Sequence, residues 1–151
     1  MTHATRRGRL GDSPLADDLS FLLARANALS IAAGNAALTA TGLRVRSYSV
    51  LALAGGEARP NQREIAEFLK LDPSQVVALI DDLQKRGLVD RAPGPTDRRN
   101  RVILATEEGH RILAMARSAV IQAERRLHSD LSEGERTTLA ELLRRLAFTE
   151  A

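Results

Sequence analysis

Three guanidinium groups fall within the run Arg98-Arg99-Asn100-Arg101, directly after the turn-forming stretch Pro93-Gly94-Pro95-Thr96-Asp97. A guanidinium keeps its charge at any physiological pH, and its planar fork of donors suits phosphate. An arginine on a narrow projection can also enter the minor groove of a duplex, where the negative potential is deepest. Upstream, Asp72-Pro73 opens a segment whose first polar residues are Ser74 and Gln75. A glutamine can pair with adenine, a serine hydroxyl can reach a base or a phosphate, and a valine such as Val77 can meet a thymine methyl. Each feature also has a plainer reading. The basic run can be a solvated turn, and Ser74 and Gln75 can simply satisfy first-turn backbone groups.

Other chemistries find little support. The chain of 151 residues has no cysteine, which removes disulfides, thiolate metal sites and thiol redox sensing. His3, His110 and His128 are scattered without metal-ligand spacing, so no metal and no cofactor is expected. There is no nucleophile elbow and no phosphate-cradling glycine loop. Asp81 and Asp82 are adjacent on a helix and point in different directions. The expectation is a protein that is not an enzyme. Lysine and arginine exceed the acids by 22 to 19, a net charge of +3 that permits nucleic-acid binding without demanding it. Arg6, Arg7 and Arg9 precede no apolar run of signal-peptide type, and no stretch is apolar enough to span a bilayer. A cytoplasmic location with no membrane partner is therefore expected.

The elements that must carry these residues follow from periodicity and caps. Residues 1–12 read as a flexible basic tail. Ser13-Pro14 has the form of a helix cap and first-turn proline. Leu15, Leu19, Leu22, Ala26, Leu29, Ala33 and Ala36 then recur at alternating steps of four and three, a seam for another helix. Gly34 weakens this first helix from within, and Gly42 ends it. A second helix over residues 44–54 points Val45, Tyr48 and Leu51 inward. Asn61 and Glu64 form a capping box for a third. Asp72-Pro73 starts a fourth, whose inner face is Val76, Leu79, Ile80 and Leu83, closed by Gly87. At about 100° per residue, Ser74, Ala78, Asp81 and Lys85 then face outward, flanked by Gln75 and Val77. Residues 88–91 and 101–105 read as the two strands of a hairpin. Thr106 caps a long helix with Ile112, Ala116, Ala119 or Val120, Ala123 and Leu127 along one side. Ser132 to Glu135 forms a second capping box, before a last helix with Leu139, Leu142, Leu143 and Leu146 on its face.

Two tightly joined helices followed by a basic-tipped hairpin make a winged helix-turn-helix, whose second helix fits the major groove. The expected fold class is mainly α, with a two-stranded β-hairpin wing and long flanking dimerisation helices. The expected domains are the tail, an N-terminal dimerisation helix over 13–42, a DNA-binding lobe over 43–105 and C-terminal dimerisation helices over 106–151.

The run Asn61-Gln62-Arg63-Glu64-Ile65-Ala66, the start Asp72-Pro73-Ser74, the close Leu83 to Gly87-Leu88-Val89, and Asp97-x-Arg99 through Thr106-x-x-Gly109 resemble the MarR family, the multiple antibiotic resistance regulators. The resemblance covers roughly residues 13 to 148, and the wing is its most specific part. It implies that Arg99 is the minor-groove arginine, that Asp97 orients it or ties the wing down, and that the flanking helices form a homodimer. Two departures stand out. Lys70 occupies the position of a usual turn glycine, and Asp81 and Asp82 bring negative charge to the DNA side or its rim. Affinity should then rest more on the wing cations Arg98, Arg99 and Arg101, and on Arg63, Lys85 and Arg86.

Double-stranded DNA, a second copy of the chain and a small-molecule effector are thus the expected partners, and the expected activity is repression. The resemblance further implies a small aromatic or phenolic effector between the dimer helices and the lobe, near Leu22, Arg25, Ala26, Tyr48 and the start of the 106–128 helix. Tyr48 has a second reading as a core residue with its hydroxyl bonded, and Arg25 can face a carboxylate or solvent. The seam from Leu15 to Ala36 can pack within one subunit or between two. An alternative function is a winged-helix protein-interaction module that has lost DNA binding, which Ala78, Asp81 and Asp82 would suit.

Overall fold

The computed structural model describes residues 8–149. Of the expected tail, residues 1–7 lie outside the described residues, and Arg9–Asp12 forms a short 3-10 turn. The chain continues as a 3-10 turn Pro14–Asp17, then α1 (Leu19–Ala37), a 3-10 turn Thr39–Thr41, α2 (Val45–Ala54), α3 (Gln62–Leu69) and α4 (Pro73–Lys85). Strands β1 (Val89–Pro93) and β2 (Arg101–Ala105) follow, then α5 (Glu107–Leu127) and α6 (Glu133–Ala147).

The expected opening of the first helix at Ser13-Pro14 is corrected. Pro14 starts only a 3-10 turn, and Asp18, in extended backbone conformation, stands before the α-helix proper. Gly34 has a reason beyond helix weakening. It is buried on α1, and a Cβ there would stand 2.6 Å from Val45 Cγ2 of α2. Beside it, the Asn35 side chain accepts the Val45 N–H at 2.9 Å, capping the start of α2 from a neighbouring helix. Gly42, with φ 69°, makes the corner between them in a region that other residues enter at a cost.

The core lies where α2, α3, α4, the hairpin and the first half of α5 converge. Val50, Leu51, Ile65, Val76, Ile80, Leu83, Val89 and Ile103 are fully buried there. On α2 the deepest residues are Val50 and Leu51, while Val45 and Tyr48 are half-buried against that core. On α5 the inner face also includes Leu113, which the expected stripe omits and which is buried beside Ala116, whereas Leu127 is exposed. Leu127 still lies on the side of Ala116 and Ala123 and borders Ala33, Ala36 and Ala37 of α1, but at the end of α5 it is left partly uncovered.

The strands pair antiparallel, from Val89 with Ala105 to Pro93 with Arg101. β1 runs two residues further than residues 88–91 because Pro93 sits at the strand end facing the loop, where its missing N–H costs little. The hairpin is also fastened to the lobe: Ile103 donates its N–H to Pro60 O at 2.8 Å, and Asn61 bridges Val102.

The arm formed by α1, α5 and α6 is covered far less completely. α1 packs along α5, yet Leu15, Leu22 and Leu29 remain exposed. All four leucines of α6 are exposed too, from 39% at Leu143 to 60% at Leu146. At the far end of α6 the Phe148 ring meets Phe68 of α3, with centroids 6.0 Å apart. Among the described residues no helix is long and apolar enough to cross a membrane.

Candidate nucleic-acid interface

The reading head is set by three helix caps. The Asn61 side chain accepts the Glu64 N–H at 2.9 Å, and Glu64 accepts the Asn61 N–H at 2.7 Å, starting α3. The turn to α4 passes through Lys70 at φ 53°, a left-handed position where its Cβ is strained. Asp72 then caps α4 by accepting both the N–H and the hydroxyl of Ser74, at 2.8 and 2.5 Å. Those two bonds hold the Asp72 carboxyl below its ordinary range, the hydroxyl contributing most.

With Val76, Ile80 and Leu83 fixed in the core, α4 turns Ser74, Gln75, Ala78, Asp81, Asp82 and Lys85 outward, with Val77 half-buried at the edge. That face matches the helical projection. Ser74 carries a restriction: its proton is directed at Asp72, so its oxygen is left to accept rather than donate. The third cap, Thr106, accepts the Gly109 N–H at 3.0 Å and donates to Gly87 O at 2.6 Å, joining α5 to the end of the head.

The wing tip is ordered from within. Asp97 accepts the backbone N–H of Arg99 at 2.9 Å, and the Asn100 N–H reaches Asp97 O at 3.1 Å. Gly94 is required by this turn, because a Cβ there would stand 2.4 Å from Asn100 O. Asp97 therefore holds the loop through the backbone of Arg99, leaving its guanidinium out of the contact. Arg98 and Arg99 are exposed, and neither guanidinium donates a hydrogen bond or enters an ion pair among the described residues.

The other cations are differently engaged. Arg101 donates to Arg91 O at 2.7 Å and so braces the loop end of the hairpin. Arg63 is fully exposed and pairs with Glu67 at 2.7 Å, one turn along α3; both the hydrogen bond and the charge of Glu67 raise its pKa. A pair that exposed contributes little and exchanges readily. Lys85 is exposed on the last turn of α4.

Arg86 does not join this set. Its guanidinium bonds Gly42 O and Thr41 O, each at 3.1 Å, so it clamps the end of α4 to the corner between α1 and α2. Sequence spacing gives no sign of this, because the partners lie more than 40 positions away. Arg91 carries no local sequence signal either. It reaches from β1 to Asp81 at 2.5 Å and also bonds Gln84, so a wing strand neutralises the acid on the reading helix. The burden that Asp81 seemed to place on DNA binding is reduced accordingly.

The four residues expected around an effector are not all brought together. Leu22 and Arg25 line a groove of about 930 Å³ with Phe21 and the N-terminal turns through Arg9, Leu10 and Leu15. Ala26 is exposed on α1, and neither it nor Tyr48 lines that groove; Tyr48 packs against the core from α2. A second groove of about 620 Å³ runs between the end of α1, the start of α2 and α4, bordered by Asn35, Arg44, Arg46, Gln75, Ala78 and Asp82. No group of three His, Cys, Asp or Glu residues that could hold a metal occurs among the described residues.

Comparison with known proteins fits this geometry. A sequence model of the MarR family matches residues 41–100, from the corner before α2 to the wing tip. The chain is similar to a MarR-family transcriptional regulator from Rhodococcus sp. RHA1, with 45% identity, a TM-score of 0.84, and 89% of this chain and 95% of that one covered. It is similar to CouR from Rhodococcus jostii RHA1, solved with p-coumaroyl-CoA, at 44% identity, TM-score 0.80, and 91% and 96% coverage. It is also similar to a transcriptional repressor, CouR, solved on a 23-mer DNA duplex, at 30% identity, TM-score 0.82, and 93% and 99% coverage.

Proposed function

The chain belongs to the MarR family of transcriptional regulators, and we propose that it is a homodimeric, sequence-specific DNA-binding repressor that an aromatic effector releases. The observation that carries this reading is the pairing of an outward α4 face with a wing tip whose Arg98 and Arg99 guanidiniums are unengaged among the described residues. Gln75, Val77 and Ala78 read base edges in the major groove, with Ser74 as an acceptor, while Arg99 enters the adjacent minor groove. Arg63, Lys85 and Arg98 contact phosphates, and Arg101 supports the wing. The repressor solved on a duplex supports this assignment.

The exposed leucines of α1 and α6 supply the dimer contact, since apolar stripes of that length ask for a partner. Residues 13–42 and 106–151 act as the dimer arm and 43–105 as the reading lobe. A dimer places two reading helices one turn of DNA apart, about 34 Å, and matches a two-fold operator. An effector favouring another separation lowers affinity by population shift. The groove at Leu22 and Arg25 is its site, and the relative solved with p-coumaroyl-CoA favours an aromatic acyl thioester or its free acid.

Sedimentation equilibrium and fluorescence titration onto the duplex upstream of the gene test this reading, with p-coumaroyl-CoA as the effector probe. A dimer that prefers this duplex to a random one and loses affinity with the probe supports it. A monomer, or equal binding to both duplexes, rejects it.

A further inference from the structure

The arginines around the reading head divide by what they hold. Arg86 is clamped to two carbonyls, Arg91 to Asp81, Arg101 to a strand carbonyl and Arg63 to Glu67. Arg44 and Arg46, at the start of α2, are exposed, and neither guanidinium donates a hydrogen bond or enters an ion pair among the described residues. They border the same groove as Gln75 and Ala78, so they stand beside the outward face of α4 on the flank towards α2.

We propose that Arg44 and Arg46 form a second phosphate-binding site, gripping the DNA backbone along the edge of the major groove that α4 enters. This deepens the DNA-binding reading above and rests on it. The major groove is about 12 Å wide, close to the diameter of a helix with its side chains, so residues flanking an inserted helix face the phosphates of its rim. A guanidinium is a better partner for those phosphates than for water, because its fork matches two oxygens at once. The one acid on this groove, Asp82, has the Arg86 guanidinium 3.9 Å away, which offsets part of its repulsion. Fixed geometry adds to the case: Asn35 holds the Val45 N–H and Ser47 holds the Arg44 N–H at 2.9 Å, so both arginines spring from a fastened turn. The wing tip and this pair then grip the backbone from different sides of α4.

The test is the salt dependence of binding of the full chain to the upstream duplex, for wild type, Arg44→Ala/Arg46→Ala and Arg44→Lys/Arg46→Lys. Removing one phosphate-bound cation lowers the slope of log affinity against log salt by about 0.9, so four side chains per dimer predict a fall of about 3.6 in the alanine variant. Discrimination between upstream and random duplex should stay within about threefold, since phosphate contacts carry no sequence information. The lysine variant should keep most of the slope. An unchanged slope in the alanine variant overturns the proposal, even if affinity falls, because that result marks a positioning effect. Wild type that binds both duplexes alike would overturn the sequence-reading function above, while the difference in salt slope between wild type and the alanine variant would still decide this inference. Thermal unfolding of the alanine variant should match wild type, as both side chains are exposed.

Discussion

Replacing Arg86 by Met should cost stability without removing a phosphate contact. The guanidinium makes two bonds of 3.1 Å to the carbonyls of Thr41 and Gly42, and its side chain is 32% exposed. Hydrogen bonds to charged groups contribute about 1.5–3 kcal/mol each when shielded from water. Partial exposure weakens both, so the pair is worth about 2 kcal/mol. Methionine keeps much of the aliphatic stem, which leaves the packing beside Gly42 largely in place. For a chain of this length that change lowers the melting temperature by about 4–8 °C. The assay is thermal unfolding by circular dichroism at one fixed protein concentration, since a dimer melts in a concentration-dependent way. A salt titration of DNA binding runs beside it. Affinity should fall, because the clamp fixes α4 against the arm, but the salt slope should equal that of wild type. A melting temperature within about 1 °C of wild type, with a slope reduced by about 0.9 per subunit, would refute the clamp and make Arg86 a phosphate ligand.

Three further outcomes follow from the same contacts. Arg91→Met should unmask Asp81 and weaken operator binding by roughly 5–30-fold, from about 1–2 kcal/mol of added repulsion over two subunits. Adding Asp81→Asn should restore most of the affinity, and simple additivity of the two changes in a double-mutant cycle would count against the latch. Lys70→Gly should relieve the left-handed strain at φ 53° and raise the melting temperature by about 2–4 °C per kcal/mol gained; a drop would show that the lysine side chain stabilises the turn. Asp72→Ala tests pH dependence. The folded carboxyl lies below its unfolded value, so its stabilisation is present above the unfolded pKa and fades as pH falls through the folded one. Urea unfolding should therefore separate variant from wild type at pH 7 and bring them together in acid below the folded pKa; a constant gap would implicate something other than ionisation.

Local signals made much of the fold legible. The capping boxes at Asn61–Glu64 and Ser132–Glu135, the Asp72 and Thr106 caps, and the inward face of α4 all lie where one turn of sequence places them. These features depend on residues three or four apart, which is the range that periodicity reads. Pro14 is ambiguous because a proline suits the first turn of either helix type, and the chain adopts the tighter one. The clamp of Arg86 and the latch of Arg91 are hidden for a different reason. A long side chain chooses among carbonyls and carboxylates that tertiary packing alone brings within reach. Arg44 and Arg46 give no signal because they precede the helix-turn-helix in sequence and reach its flank only after α2 folds back beside α4. Gly34 shows the same limit: its lack of a side chain reads as a helix weakness until Val45 is placed against it.

The most direct single measurement is a competition titration of wild type and Arg98→Glu/Arg99→Glu onto the upstream duplex, with random duplex as competitor. Both side chains are exposed at the wing tip, so the variant should fold normally. Wild type should bind the upstream duplex as one dimer per site and resist the competitor. The variant should lose binding almost entirely, since two cations per subunit become anions facing phosphate. Undiminished binding by a folded variant would contradict the wing as a DNA contact. No preference in wild type would contradict sequence reading altogether.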